Sequence, residues 1–231
     1  MLFYLMDSEN SKVTISENGP YLVSGNVPLS DETSICEDNG DAERWAKGKT
    51  YPPTKTYALC RCGKSLNKPF CDGAHVKANF NGCETSENMN YLKEAGEIIG
   101  QSLILRDCQD LCASARFCHK AGGTWGLTQN SDNLDSRNLA IKQAGNCPSG
   151  RLVMLDKKTG DLIEPKFIPS ISVTKDGGAG VLGPLWIKGG IPIESFNGKK
   201  YELRNRVTLC RCGKSRNKPF CDGTHVEIGF N

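Results

Sequence analysis

The sequence predicts an α+β protein, two β-rich repeats with a small α+β module inserted between them. Three observations carry this. A cysteine-rich stretch occurs twice, strand-like sequence precedes each copy, and the block between them is partly helical with its own cysteines. Between Ala58 and Val76 the first copy differs from the second only at Ala58/Thr208, Leu66/Arg216 and Ala74/Thr224. Each copy packs three thiols and one imidazole into a loop bent by Gly and Pro. Those residues are Cys60, Cys62, Cys71 and His75, and then Cys210, Cys212, Cys221 and His225. Repetition this close predicts the same site twice.

Taken in order, residues 13–15 alternate and reach a turn at Asn18-Gly19-Pro20, and residues 21–29 continue as a strand broken by Gly and Pro. Residues 171–174 and 183–193 echo them, so the repeat begins well before the loop. Residues 57–59 and 206–209 are the expected strands that deliver each C-x-C. A short helix is expected after each His, with Asp72 and Asp222 available as N-caps. Residues 30–50, polar and acidic, are expected as a surface excursion.

From Tyr91 the pattern changes. Residues 91–99 suit a helix, 102–106 a strand, 107–117 a second helix, 136–144 a third, and 151–155 a strand. The expected units are 1–85, the first repeat; 86–160, the inserted module; and 161–231, the second repeat packed on the first.

Composition narrows the function. The 231 residues carry a net charge of +3, which gives no electrostatic case for nucleic acid. The apolar opening, residues 1–6, is too short for a membrane span and lacks a basic start, so a soluble, cytoplasmic protein without membrane contact is expected. Of twelve cysteines, ten fall into three clusters, two of them with a His at fixed spacing. Disulfides explain neither the His nor the duplication, whereas metal ligation explains both. Cys36 and Cys83 stand apart and are expected as incidental free thiols.

Three soft thiolates and one imidazole suit zinc or iron–sulfur chemistry. Structural zinc sites usually space ligand pairs by two to four residues. Here a C-x-C is followed, eight residues on, by C-x3-H. This pattern, with Ser65, Pro69, Asp72 and Gly73 and their counterparts also in place, resembles the CDGSH iron–sulfur family, the mitoNEET-like proteins. The resemblance implies a 2Fe–2S cluster in each loop, with Cys60 and Cys62 on the inner iron and Cys71 and His75 on the outer one. The second loop would follow suit through Cys210, Cys212, Cys221 and His225. It also implies an intertwined pair of loops beneath a β cap, here an internal pseudo-dimer and so a monomer with an internal pseudo-twofold. His ligation would raise the potential and couple it to protons, as in Rieske centres.

The middle cysteines form a third set. Cys112 and Cys118 are C-x5-C, and Cys147 precedes Pro148. A bacterial ferredoxin run is C-x2-C-x2-C with a distant C-P, and Ala115 stands where its middle Cys would be. Three ligands predict a 3Fe–4S cluster. Cys108, one helical turn before Cys112, is the candidate fourth ligand that would make it 4Fe–4S. The block resembles divergent single-cluster ferredoxins.

With no nucleophile–base pair, phosphate loop or dinucleotide fingerprint, a non-enzymatic electron carrier is expected, serving redox partner proteins. The alternatives are a cluster-storage or cluster-transfer protein acting on apo acceptors, and a zinc-stabilised interaction scaffold.

Overall fold

The computed structural model describes residues 11–86 and 90–231; the apolar opening lies outside them. The first part of the chain contributes β1 (Lys12–Ile15), β2 (Tyr21–Ser24), β3 (Leu29–Cys36), β4 (Ala42–Thr50), β5 (Thr56–Leu59) and the one-turn helix α1 (Ala74–Lys77). The middle contributes α2 (Tyr91–Glu94), β6 (Gly96–Ile99), β7 (Leu103–Asp107), α3 (Gly123–Gln129), α4 (Leu134–Asn146), β8 (Leu152–Asp156) and β9 (Leu162–Ile163). The last part contributes β10 (Ser170–Asp176), β11 (Val181–Lys188), β12 (Ile193–Glu194), β13 (Arg206–Leu209) and the helix α5 (Thr224–Glu227).

Two of the three sheets mix strands from both repeats. One runs β12-β1-β2-β5 and the other β13-β11-β10-β3-β4. In each, a strand from one repeat lies parallel to the leading strand of the other. Val13 stands opposite Ile193, and Ile171 opposite Leu29. The remaining pairings are antiparallel and end on β5 and β13, the strands that enter the two loops. Alternating side chains from both sheets meet in one core. Val13, Ile15 and Tyr21 from the first repeat join Ile171, Leu185 and Leu209 from the second.

Residues 30–50 are therefore not a surface excursion, because most of them form β3 and β4. The polar pattern misleads because its buried charge is neutralised. Glu32 is buried, pairs with Lys188 at 2.6 Å and accepts from Ser172 Oγ at 3.0 Å.

The third sheet, β6-β7-β8-β9, belongs to the middle block and runs on to Ile163. Its apolar face packs under α3 and α4 through Leu103, Leu105, Leu127, Ala140 and Met154. Two expected helices differ. Residues 91–99 are helical for one turn only, and Gly96 then starts a strand paired with Asp107. Residues 107–117 hold a single 3-10 turn, Gln109–Leu111, followed by irregular backbone with positive φ at Ser114 and Arg116. α3 lay outside the expected elements, since its Gly-Thr-Trp-Gly run has poor helix propensity. Among the described residues no helix is long and apolar enough to cross a membrane.

Candidate metal centres

Each Cys/His loop is tied to the strand that feeds it. Cys60 N–H donates to Pro69 O at 2.8 Å and Cys71 N–H to Ala58 O at 2.9 Å. The second loop repeats both bonds, Cys210 to Pro219 and Cys221 to Thr208. Ser65 Oγ closes the turn by donating to Phe70 O at 2.7 Å, as Ser215 does to Phe220 O. Asp72 and Asp222 do not cap the short helices, whose N-caps are Gly73 and Gly223 in the left-handed region. Each carboxylate instead clasps the two arms of its loop. Asp72 accepts from Leu66 N–H at 2.8 Å and from Ala74 N–H at 3.0 Å, and Asp222 accepts from Arg216 and Thr224. The amide from Leu66 and then that from Ala74 hold Asp72 below the usual carboxylate range. For Asp222 burial pushes upward, but the hydrogen bonds from Arg216 and Thr224 outweigh it and the net shift is down.

The donors come in pairs. Cys60 and Cys62 Sγ are 3.8 Å apart, and Cys210 and Cys212 Sγ 3.7 Å. Cys71 Sγ lies 3.5 Å from His75 Nδ1, and Cys221 Sγ 3.4 Å from His225 Nδ1. A tetrahedral metal with sulfur at about 2.3 Å and nitrogen at about 2.0 Å separates two sulfurs by about 3.8 Å, and sulfur from nitrogen by about 3.5 Å. All four pairs match one edge of such a tetrahedron. The donors are thus grouped by twos. Backbone N–H groups aim at the sulfurs as well. Lys64 N lies 3.4 Å from Cys62 Sγ, and Gly73 and Gly223 N lie 3.5 Å from Cys71 and Cys221 Sγ. The residues therefore fit a two-metal cluster held by two donors at each end. Cys210 is pushed down, chiefly by its hydrogen bond with Cys212, whose own thiol is pushed up. Such a pair resists becoming two thiolates until a cation joins it.

The two loops touch. A Cβ on Gly63, at φ +74°, would stand 2.6 Å from Cys212 O, and one on Gly213, at φ +77°, 2.7 Å from Cys62 O. Glycine at these positions lets the C-x-C segments lie against each other.

They are also unequal. His75 is half-buried and Asp72 and Gly73 beside it are exposed, whereas His225, Cys221 and Gly223 are buried. The middle block makes the difference. A Cβ on Gly223 would fall 2.2 Å from Ser114 Oγ and 3.5 Å from Cys112 O. Asn217 Nδ2 also donates to Asp110 O at 2.9 Å. Burial under this block pushes the His225 imidazole down to about 4, which keeps it neutral.

Cys112, Cys118 and Cys147 line one cavity of about 310 Å3, together with Ala115, and Val226 of the second loop reaches the same cavity. Burial first, and the neighbouring Cys147 next, push the Cys118 thiol up to about 12. Cys108 is elsewhere. It is not on a helix, its backbone is extended, and its buried side chain belongs to the core shared by the two mixed sheets. His119 lies at the cavity edge with about half its side chain exposed, 3.7 Å from Asp41. Arg116 bridges to Asp176 and to Gly40 O. Cys36 ends β3, half-buried, and Cys83 is exposed.

Residues 18–76 and 182–226 match the family described as an iron-binding zinc finger of CDGSH type. Residues 98–157 match the family described as a divergent 4Fe–4S mono-cluster. Two CDGSH-type segments therefore flank a segment of the divergent 4Fe–4S family, which marks an iron–sulfur protein. No curated protein and no solved structure matches it.

Sequence reading missed one pair of residues in this iron–sulfur protein. Arg61 and Arg211, each between the cysteines of a C-x-C, are buried and anchor the loops. Arg211 donates to Gly183 O at 2.9 Å and Thr174 O at 3.1 Å, and Arg61 to Ser16 O at 3.2 Å and to Gly82 O. Burial lowers Arg211 to about 10, leaving it charged at neutral pH beside the thiolates. Extended alternation was the available signal, since it sends the residue between two ligands to the opposite side, and both copies place Arg there.

Proposed function

We propose that the protein holds a 2Fe–2S cluster in each CDGSH loop and a 3Fe–4S cluster on Cys112, Cys118 and Cys147, and works as an electron carrier rather than an enzyme. The observation that carries this reading is contiguity. The first loop lies against the second at Gly63 and Gly213, and the second against the third site at Gly223 and Val226. Clusters bound at these positions would supply one-electron redox chemistry. The chain's own residues do the rest. The C-x-C backbones press the two loops together, the middle block keeps water from His225, and the exposed first loop leaves one end open to a partner. Three thiols at the cavity, with Ala115 among them and Cys108 turned into the core, favour three iron positions over four. The shared strand order of the two mixed sheets supports an internal pseudo-dimer, a monomer that carries its own twofold. Its partners on this reading are redox proteins.

Iron and sulfide analysis of anaerobically purified protein, with EPR, tests it. About seven irons and eight sulfides per chain are expected. A colourless protein with zinc and no sulfide sinks the reading and leaves the interaction scaffold.

A second reading has one observation in its favour, the exposure of the first loop, which would let its cluster pass to an apo acceptor. Prolonged incubation with an apo-ferredoxin separates the two. A donor moves iron, whereas a carrier moves electrons alone.

A further inference from the structure

Away from the cysteines, a groove of about 800 Å3 opens between β4, the end of α4, residues 163–168 and β11. That volume is in the range of small-molecule sites, about 300–1,000 Å3. One wall is aromatic. Trp45 and Trp186 have ring centroids 5.1 Å apart, and Phe167 meets Trp186 edge-on at 5.5 Å. Trp186 is 3% exposed, and its buried indole N–H has no hydrogen-bond partner among the described residues. The rim is cationic. Arg44, Lys47, Lys142 and Lys166 are exposed, and among the described residues none of them forms an ion pair. The two acids at the groove are each paired with a base, although the buried Glu164 Oε1 has no hydrogen-bond partner among the described residues. Glu32 pairs with Lys188, and Glu164 pairs with Arg206 at 2.6 Å while accepting from Asn205.

We propose that this groove binds a planar aromatic anion, a phosphorylated heteroaromatic ring of flavin or nucleotide type, with its ring on the Trp45–Phe167 wall and its phosphate among the rim cations. Each half of the site selects one half of the ligand. A flat ring gains by covering aromatic faces and displacing water from them. Four cations without acidic partners favour a phosphate, which an uncharged ring would not supply. A bare anion, conversely, leaves the aromatic wall wet. Trp45 also links the groove to the third cysteine site. Trp45 stacks on Phe117 at 4.9 Å, beside Cys118, and its indole N–H donates at 3.0 Å to the carbonyl of Asn146, the residue before Cys147. The groove is built from side chains that ligate nothing, so the proposal stands whether or not the cluster assignments do.

Calorimetric titration of the full-length protein tests it, using FMN against riboflavin and AMP against adenosine, with inorganic phosphate as a fifth probe. One phosphorylated probe should bind saturably at a single site, roughly tenfold or more tighter than its unphosphorylated partner. The double variant Lys142→Glu, Lys166→Glu should erase that advantage while leaving the ring's own weak binding. Trp45→Ala should weaken both members of the pair. Trp45 also holds Asn146, so the decisive variant is the lysine pair, at exposed positions outside the fold's hydrogen bonds. Saturation by none of the probes overturns the proposal. So does FMN or AMP binding that the lysine variant leaves unchanged, or inorganic phosphate binding as tightly as either.

Discussion

The two histidines occupy the same place in the two loops and face different surroundings. His75 sits half-buried beside exposed residues, whereas His225 is sealed beneath the middle block, and its burial holds it neutral down to about 4. A depressed folded value keeps its stabilising contribution above the unfolded value of about 6.5 and loses it as pH falls toward 4. Near pH 5.5 the loop that solvent reaches should be the first to lose its cluster, since the second lies sealed under the middle block. His75→Cys should slow loss of visible absorbance at that pH several-fold, and His225→Cys should change it little. Either substitution should lower its own cluster's potential, by on the order of 200 mV, because a fixed anion replaces a neutral ligand. Equal protection by the two variants would remove the distinction between the loops. The buried arginine makes a second test at this scale. Arg211→Lys gives up at least one of two carbonyl bonds, and a buried carbonyl left unmet costs about 1–3 kcal/mol. Thermal unfolding should show that loss, with exposed Lys64→Ala as the control; an unchanged midpoint for Arg211→Lys would mean that the anchor is dispensable.

Among the elements, the segment between β7 and α3 is irregular, and its bends decide which thiols meet. Gln109–Leu111 turn once as a 3-10 helix, and positive φ at Ser114 and Arg116 then brings Cys112 and Cys118 to the same cavity as Cys147. Had it been the helix its composition suggests, Cys108 and Cys112 would have shared a face. Instead Cys108 enters the core and Ala115 lines the cavity. Oxidised protein should thus show a 3Fe–4S EPR signal that survives Cys108→Ser and disappears with Cys112→Ser. Ala115→Cys should replace it with a 4Fe–4S signal seen on reduction. An EPR-silent oxidised sample whose reduced signal is lost in Cys108→Ser would make Cys108 a ligand after all. What could be read beforehand follows a physical divide. The loops were legible because short-range spacing fixes which donors can share a metal, and α4 because its composition is helical. β3 and β4 were not, because Glu32 is tolerated inside through Lys188 and Ser172, both more than a hundred residues away in the chain. The clasp by Asp72 escaped notice for a similar reason, since Asp before Gly reads as a cap whether or not it closes a loop.

At the scale of the whole molecule, neither repeat contains a complete sheet of its own. β1 needs β12 from the second repeat, and β3 lies between its own β4 and the foreign β10. The segment after the first loop then crosses onto the second. Thr85 and Ser86 N–H both donate to Lys218 O at 2.8 Å, Thr85 Oγ1 donates to Arg216 O at 2.7 Å, and Glu84 accepts from Ser195 and Tyr201. A chain ending near Asn81 keeps the first loop and all four of its ligands but loses every one of these contacts. It leaves β1 and β3 with open edges and uncovers the faces of Val13, Ile15 and Tyr21 that meet the second repeat. Because each mixed sheet sets a strand of one repeat parallel to the leading strand of the other, two truncated copies can satisfy each other, β3 of one lying along β1 of its mate. Self-association is therefore the expected outcome, as a dimer where that pairing forms and as aggregate where it does not. Sedimentation at several concentrations reads it directly, and absorbance reports the cluster in the same run. A truncated chain that stays monomeric with its visible spectrum intact would show that one repeat suffices to build its site, and the paired architecture would then owe nothing to the ligands it encloses.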